Sequence, residues 1–330
     1  MNDSIAQPAP LLHIDNLHTY FFTPQGVAKV LDGLSFSIPT GLVTGVVGES
    51  GSGKSVTALS IVRLLRPPGR IVGGAIGFNG RDLVTLSEQE MRRVRGKEIS
   101  MIFQNPRGSL NPVFTVGDVL QTVFKTQRGL KGKAIEASSL EILDQVGLPN
   151  PRALLRRYPH ELSGGMCQRV MIALALACAP KLLIADEPTT ALDVTIQLQI
   201  IGLLAGLRDR LGLTQILITH NLGVVAELCD RVAVMYAGKV VEEGDVNTIF
   251  AAPRHPYTVA LNRSRPRVTE SGELVSIPGS VPDLRNPPAG CRFHPRCGYA
   301  QPICREVEPP LEAIGDGHRV ACHFWREVSA

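Results

Sequence analysis

No stretch of this chain stays apolar for long enough to cross a bilayer. The longest uninterrupted run near the middle, Val170 to Ala179, falls well short of the twenty or so residues a spanning helix needs. The start, Met1-Asn2-Asp3-Ser4, has neither the basic stretch nor the apolar core of a secretory signal. A cytosolic chain is therefore expected, one that can still dock onto a membrane protein. Excess charge of one sign is also missing. Lys and Arg number 34 against 30 Asp and Glu, and a net charge of +4 is too small to argue for nucleic acid as a partner. No internal repeat occurs, and no sustained heptads predict a coiled coil. What remains, 44% hydrophobic and 19% charged over 330 residues, is a globular composition with room for a large core and an appended module.

The organising stretch is Gly48-Glu49-Ser50-Gly51-Ser52-Gly53-Lys54-Ser55. It fits G-x-x-x-x-G-K-[ST], a loop whose backbone N–H groups cradle nucleotide phosphates. A β-rich run, Leu42 to Val47, precedes it and a helix is expected over Ser55 to Leu65. That strand–loop–helix order is the context the motif requires, because free amides and the helix dipole both favour an anion there. The expected binding set is Gly48, Ser50, Gly51, Ser52, Gly53, Lys54, Ser55 and Val56, with Lys54 on the β and γ phosphates of ATP and the Ser55 hydroxyl on Mg²⁺.

Other segments punctuate the chain in order. Residues 1–10 read as a loose leader. Alternation from Leu11 to Phe22 and from Val27 to Ile38 predicts antiparallel strands, and Asn79-Gly80 predicts a turn after another β segment. Ser87 and Glu90 form a capping-box pattern. Helical spacing from about Phe114 to Leu155 predicts an inserted α-helical subdomain, bounded at about 106–168. Apolar strands at Lys181 to Asp186 and Thr214 to Thr219 alternate with helices, which predicts a mostly parallel sheet covered on both faces. The fold class is α/β, with a main domain over 11–252. From Ala251 the composition shifts to Pro, Arg and Cys, and a module is expected over 253–330.

Two further motifs carry chemistry. Leu182-Leu183-Ile184-Ala185-Asp186-Glu187 is an apolar strand ending in carboxylates, which sets Asp186 at the sheet edge where α/β folds bind ligands. Asp186 suits Mg²⁺, and Glu187 suits the polarisation of an attacking water. Leu162-Ser163-Gly164-Gly165-Met166-Cys167-Gln168-Arg169 offers a second anion site, with Ser163 as N-cap and Gly164 and Gly165 allowing close backbone approach. An ordinary helix cap is the plainer account of that segment.

At this point the chain resembles the ABC-type ATPases. Leu-Ser-Gly-Gly followed by Gln-Arg is similar to their signature motif, and the phosphate loop and Asp-Glu strand accompany it. Gln104 in Met101-Ile102-Phe103-Gln104-Asn105-Pro106 resembles the Q-loop, which senses Mg²⁺ and water and contacts a membrane subunit. Ala191-Leu192-Asp193 resembles the D-loop, and His220 after Leu217-Ile218-Thr219 resembles the switch histidine. Phe21 sits where the family places an aromatic on adenine, with Tyr20 as the competitor. The resemblance implies a P-loop ATPase with an antiparallel β subdomain and catalytic Glu187, His220 and Gln104. Ser55, Gln104 and Asp186 would hold Mg²⁺. It also implies a head-to-tail pair in which Ser163, Gly164 and Gly165 serve the partner's ATP, with Asp193 also in the nucleotide-binding set. Met166 departs from the Gln that many members carry.

The tail narrows the group. Arg254-His255-Pro256-Tyr257-Thr258, Ile277-Pro278-Gly279-Ser280-Val281-Pro282 and Cys291-Arg292-Phe293-His294-Pro295-Arg296-Cys297 resemble the C-terminal extension of ATPases driving dipeptide/oligopeptide and some nickel importers. That implies two membrane permease subunits, a related or identical second ATPase, an extracytoplasmic peptide-binding protein, and a peripheral place on the cytoplasmic face of the inner membrane. A soluble ABC ATPase is the alternative of another class.

Cys291, Cys297, Cys304 and Cys322 are separated by five, six and seventeen residues, neither a zinc-ribbon nor a bacterial ferredoxin spacing. The resemblance implies a 4Fe–4S cluster on them. Zinc with His294, His318 or His323 is the rival, and four plain thiols the third option. Arg292, Arg296, Arg305 and Arg319 are expected to offset an anionic cluster.

Overall fold

The computed structural model describes residues 10–190, 192–264, 277–315 and 317–329. The leader expected over 1–10 lies outside them except for Pro10, as do Ala191 and residues 265–276. The chain divides into two compact units, 1–86 with 217–330, and 87–216.

In the first unit, strands Pro10–Thr23, Gly26–Pro39, Gly69–Phe78 and Arg81–Asp82 form an antiparallel sheet with Pro10–Thr23 between the second and third. Alternation is imperfect because the register shifts between Ile14 and Leu17, where Asn16 takes φ 46°. Gly74 lies opposite, and a Cβ there would stand 2.2 Å from the Asn16 carbonyl oxygen, so only glycine fits that crossing.

A second set of strands in this unit starts from Val43–Val47, buried throughout and parallel to Arg231–Tyr236. Lys239–Asp245 adds antiparallel, followed by His318–Val320 and then Glu312–Gly315. The tail thus contributes strands of four and three residues, too short to leave a period in the sequence.

Glu242 joins tail to sheet. Its fully buried carboxylate accepts from the amides of Arg254 at 2.6 Å and His255 at 3.0 Å, and bonds His318 Nε2 at 2.8 Å. His255 caps helix Pro256–Arg263, its Nδ1 accepting the Tyr257 N–H at 3.1 Å. Burial lowers the His255 pKa from 6.5 to about 4, against the raising pull of Glu242. The unfolded ring takes a proton near pH 6.5, whereas the folded ring resists until about 4. The unfolded state therefore binds more protons between those values. Stability is complete above about pH 6.5 and lost as pH falls toward about 4, by roughly 3 kcal/mol. Urea melts across that range are expected to show the loss in the wild-type chain and a smaller one in His255→Asn, whose amide oxygen can still cap.

The second unit holds parallel strands Ile99–Ile102 and Leu182–Asp186, with helices Val116–Arg128, Lys133–Gln145, Gly164–Leu176 and Val194–Leu211. The expected Ser87–Glu90 capping box is present, and Thr115 with Asp118 forms another. Val116, Leu120 and Phe124 line the buried side of one helix at the i, i+4, i+8 spacing. Strand Thr214–Ile218 runs across the division between units.

Candidate nucleotide-binding site

Strand Val43–Val47 feeds the phosphate loop, and glycine is required at both of its ends. Gly48 takes φ 152° and Gly53 φ 103°. A Cβ on Gly48 would lie 2.2 Å from the Met235 carbonyl oxygen, and one on Gly53 2.8 Å from Leu31 Cδ2. Lys54 is buried, and its Nζ donates to the carbonyls of Gly48 at 2.8 Å and Glu49 at 2.9 Å. The ammonium therefore spans the loop from within. Ser50 and Gly51 are exposed, Ser52 is buried, and Ser55 and Val56 are half-buried in the first turn of helix Lys54–Ile61. The helix ends before the expected Leu65 because Arg63 turns to φ 51° and donates to the carbonyls of Leu83 and Leu86.

Of the two aromatic candidates, Tyr20 donates its hydroxyl to Asp32 at 2.7 Å. Burial and then Asp32 push its pKa to about 12. Phe21 is half-buried with its ring against Gly69, where an added Cβ would approach Phe21 Cε1 to 2.7 Å. His220 is exposed just beyond Thr219, whose amide bonds the Val46 carbonyl in the same unit.

In the second unit, sheet register brings two candidates together. Ile102 pairs with Ala185, so Gln104 and Glu187, each two residues further on, leave adjacent strand ends side by side. Gln104 Nε2 donates to Glu187 Oε2 at 2.9 Å, and Thr190 Oγ1 donates to the same oxygen at 2.7 Å. Glu187 sits at φ 46°, a left-handed turn immediately after the buried Asp186. Thr190 was not legible as a site residue. Its only sequence signal is its place three residues after Glu187, one turn along.

Ser163, Gly164, Gly165, Asp193, Gln104 and Thr190 all line one open cleft of this unit. Ser163 caps helix Gly164–Leu176, accepting from Met166 N–H at 3.3 Å. Met166 thus contributes its amide whatever its side chain lacks. Asp193 caps helix Val194–Leu211 through Ile196 N–H at 2.9 Å. A Cβ on Gly165 would crowd Ile196 Cγ2 at 2.8 Å, so that glycine also serves helix packing.

The four tail cysteines line one small cavity, together with Phe293, Tyr299 and neighbouring side chains. All four are free thiols. Burial raises Cys297, and raises Cys291 to about 11 and Cys322 to about 12. No group of three or more His, Cys, Asp or Glu is arranged to hold a metal among the described residues. Thiols are the donor type that an iron–sulfur cluster takes. Of the rival zinc ligands, His318 is held by Glu242, while His294 and His323 line the same cavity, each with one ring nitrogen on a carbonyl: His294 Nδ1 with Cys291 at 3.0 Å and His323 Nε2 with Val307 at 2.9 Å. The arginines also depart from expectation. Arg292 pairs with Asp32, Arg296 with Glu49 and Arg319 with Glu243, while Arg305 is exposed. Sequence proximity to a cysteine did not reveal carboxylates brought in from two strands and the phosphate loop.

A family model described as ABC transporter matches residues 31–190, and one described as oligopeptide/dipeptide transporter C-terminal region matches 241–304. The Dipeptide transport ATP-binding protein DppD of Escherichia coli K12 is 49% identical over 315 residues, covering 95% of this chain and 96% of that protein. The chain belongs to the ABC transporter ATP-binding family. The Probable peptide ABC transporter ATP-binding protein y4tR of Sinorhizobium fredii is 52% identical to this ABC protein over 320 residues, 96% of it and 95% of the relative. Among solved structures, the ATP-binding cassette MJ0796, a dimer bound to ADP and Pi, matches with TM-score 0.64 and 27% identity over 71% of this ABC chain and 98% of its own. CbiO1 of Clostridium perfringens, part of the ABC transporter complex cbiONQ, matches with TM-score 0.62 and 29% identity over 73% and 91%. Among the described residues, no helix of this ABC protein is long and apolar enough to cross a membrane.

Proposed function

We propose that this ABC protein is the ATP-hydrolysing subunit of an importer for dipeptides or oligopeptides. The observation that carries the cargo is the tail: residues 241–304 match the oligopeptide/dipeptide transporter region, beside relatives of 49% and 52% identity named for peptide transport. In this reading 11–252 form the ATPase domain and 253–330 the importer-type module. Lys54 and the loop amides hold the β and γ phosphates, and Phe21, free of the hydroxyl bond that ties Tyr20, stacks on adenine. Ser55, Gln104 and Asp186 supply hard oxygen donors suited to Mg²⁺, which when bound offsets the phosphate charge. Glu187 accepts the proton of the attacking water, with Gln104 and Thr190 fixing its carboxylate, and His220 contacts the γ phosphate.

Two such ATPases, identical or related, pair head to tail, so that the Ser163–Gly165 cleft closes on the partner's nucleotide. Val194 and Leu198, 71% and 57% exposed beside Asp193, suit that covered surface. Val113 and Phe114, 70% and 49% exposed beyond Gln104, suit contact with two permease subunits at the cytoplasmic face of the membrane. An extracytoplasmic binding protein delivers the peptide. Cells lacking this chain are expected to lose uptake of radiolabelled di- and oligopeptides. Loss of nickel uptake alone would move the cargo to the metal, and loss of neither would reject both cargoes in favour of another small solute or a soluble ABC ATPase.

The tail thiols are proposed to receive a 4Fe–4S cluster, supported by their sharing one cavity. Anaerobic purification with iron, sulfide and zinc analysis tests it. About four irons and four sulfides per chain are expected; zinc in their place, or no metal, would reject the cluster.

A further inference from the structure

Glu49 is the first variable position of the phosphate loop, and the tail holds it at two points. Arg296 donates from Nη1 to Glu49 Oε2 at 2.6 Å and from Nη2 to Oε1 at 3.0 Å, a two-pronged pairing that fixes both groups in one orientation. The guanidinium is itself anchored. Its side chain is 6% exposed, and it also donates to the Tyr236 hydroxyl and to the carbonyls of Ile277 and Pro278. The second point is the backbone: Glu49 N–H donates to the Tyr257 hydroxyl at 2.8 Å. Tyr257 is fully buried, its ring 4.7 Å from that of Tyr236 and 5.4 Å from that of Phe293.

The far flank of the loop is held from the same segment. Arg292, four residues before Arg296, donates to the Ala237 carbonyl and to Asp32. The next amide, Gly238 N–H, donates to the Ser52 carbonyl at 2.9 Å. That turn has no slack, since a Cβ on Gly238 would stand 2.3 Å from the Val30 carbonyl oxygen.

A loop rich in glycine loses much conformational freedom when its amides converge on phosphates. Whatever fixes the loop beforehand removes that cost from binding. We infer that Arg296, acting through Glu49 and assisted by Tyr257, is a positioning residue that pre-orders the phosphate loop for nucleotide. The inference rests on the reading of that loop as the ATP site. The role is to bind substrate and transition state alike, so it is read in affinity.

The test titrates the full-length chain with N-methylanthraniloyl-ATP and Mg²⁺, and records its melting midpoint without nucleotide. Arg296→Gln is expected to raise Kd about tenfold, and Glu49→Gln by a similar factor. The double variant should add no further rise, because both changes break one pair. Tyr257→Phe removes only the accepting hydroxyl and should raise Kd about threefold; it and Glu49→Gln carry the test if Arg296→Gln does not fold. Lys54→Ala keeps the two ideas apart. Wild-type binding by Lys54→Ala would overturn the ATP-site reading. Lost binding there, with unchanged Kd in Arg296→Gln, Glu49→Gln and Tyr257→Phe, would overturn only the positioning role. A lower melting midpoint at unchanged Kd, or rises that add in the double variant, would overturn it as well.

Discussion

Glu187→Gln is expected to stop ATP turnover while nucleotide binding persists. Gln104 and Thr190 both donate to Glu187 Oε2, and a glutamine carbonyl oxygen at that position accepts the same two bonds. The left-handed turn and the strand end before it are therefore expected to survive. What disappears is the carboxylate that takes a proton from water, and the loss in kcat should reach about a thousandfold. Because the γ phosphate is no longer cleaved, two such ATPases should remain closed around ATP. Phosphate release and light scattering in Mg-ATP measure both effects. Wild-type release from this variant would reject Glu187 as the base.

Lys54→Ala is expected to abolish nucleotide binding at the chain's own loop. Nζ spans the loop between the carbonyls of Gly48 and Glu49, and no other cation of the motif can replace it. A fall in ATP affinity of at least about a hundredfold is expected, consistent with loss of a charge-assisted contact to phosphate. The cleft at Ser163 belongs to the other unit, and its caps to Met166 and Ile196 do not involve Lys54. Its surface should stay competent toward a partner's nucleotide. In a mixture with a partner ATPase, transport should fail while the partner still binds ATP; isothermal titration of each subunit separates these outcomes.

The loop, the Ser163 cap and the Asp-Glu strand were legible because each depends on chemistry within a few residues: a glycine conformation, a side chain turned onto the next amide, an apolar run meeting an edge. Pairing of Gln104 with Glu187 followed only from the register of Ile102 against Ala185. Thr190 could not be singled out, since one threonine among several becomes a donor to Glu187 only once the left-handed turn aims the carboxylate back. The helix after the phosphate loop ends before the expected Leu65 because Arg63 finds carbonyls at Leu83 and Leu86, about twenty residues on.

The tail departs furthest from what its residues announce. Four cysteines suggested an inorganic group with arginines as counter-charges. In the fold, three of those arginines answer Asp32, Glu49 and Glu243. The order of residues determined the family and the candidate nucleotide loop, because backbone amides, caps and strand-end carboxylates act over one or two turns. Only the folded chain decided that the tail grips the phosphate loop. That grip needs short strands to add beside Lys239–Asp245 and Arg296 to meet a carboxylate far away in sequence, and no local pattern of charge specifies such a meeting.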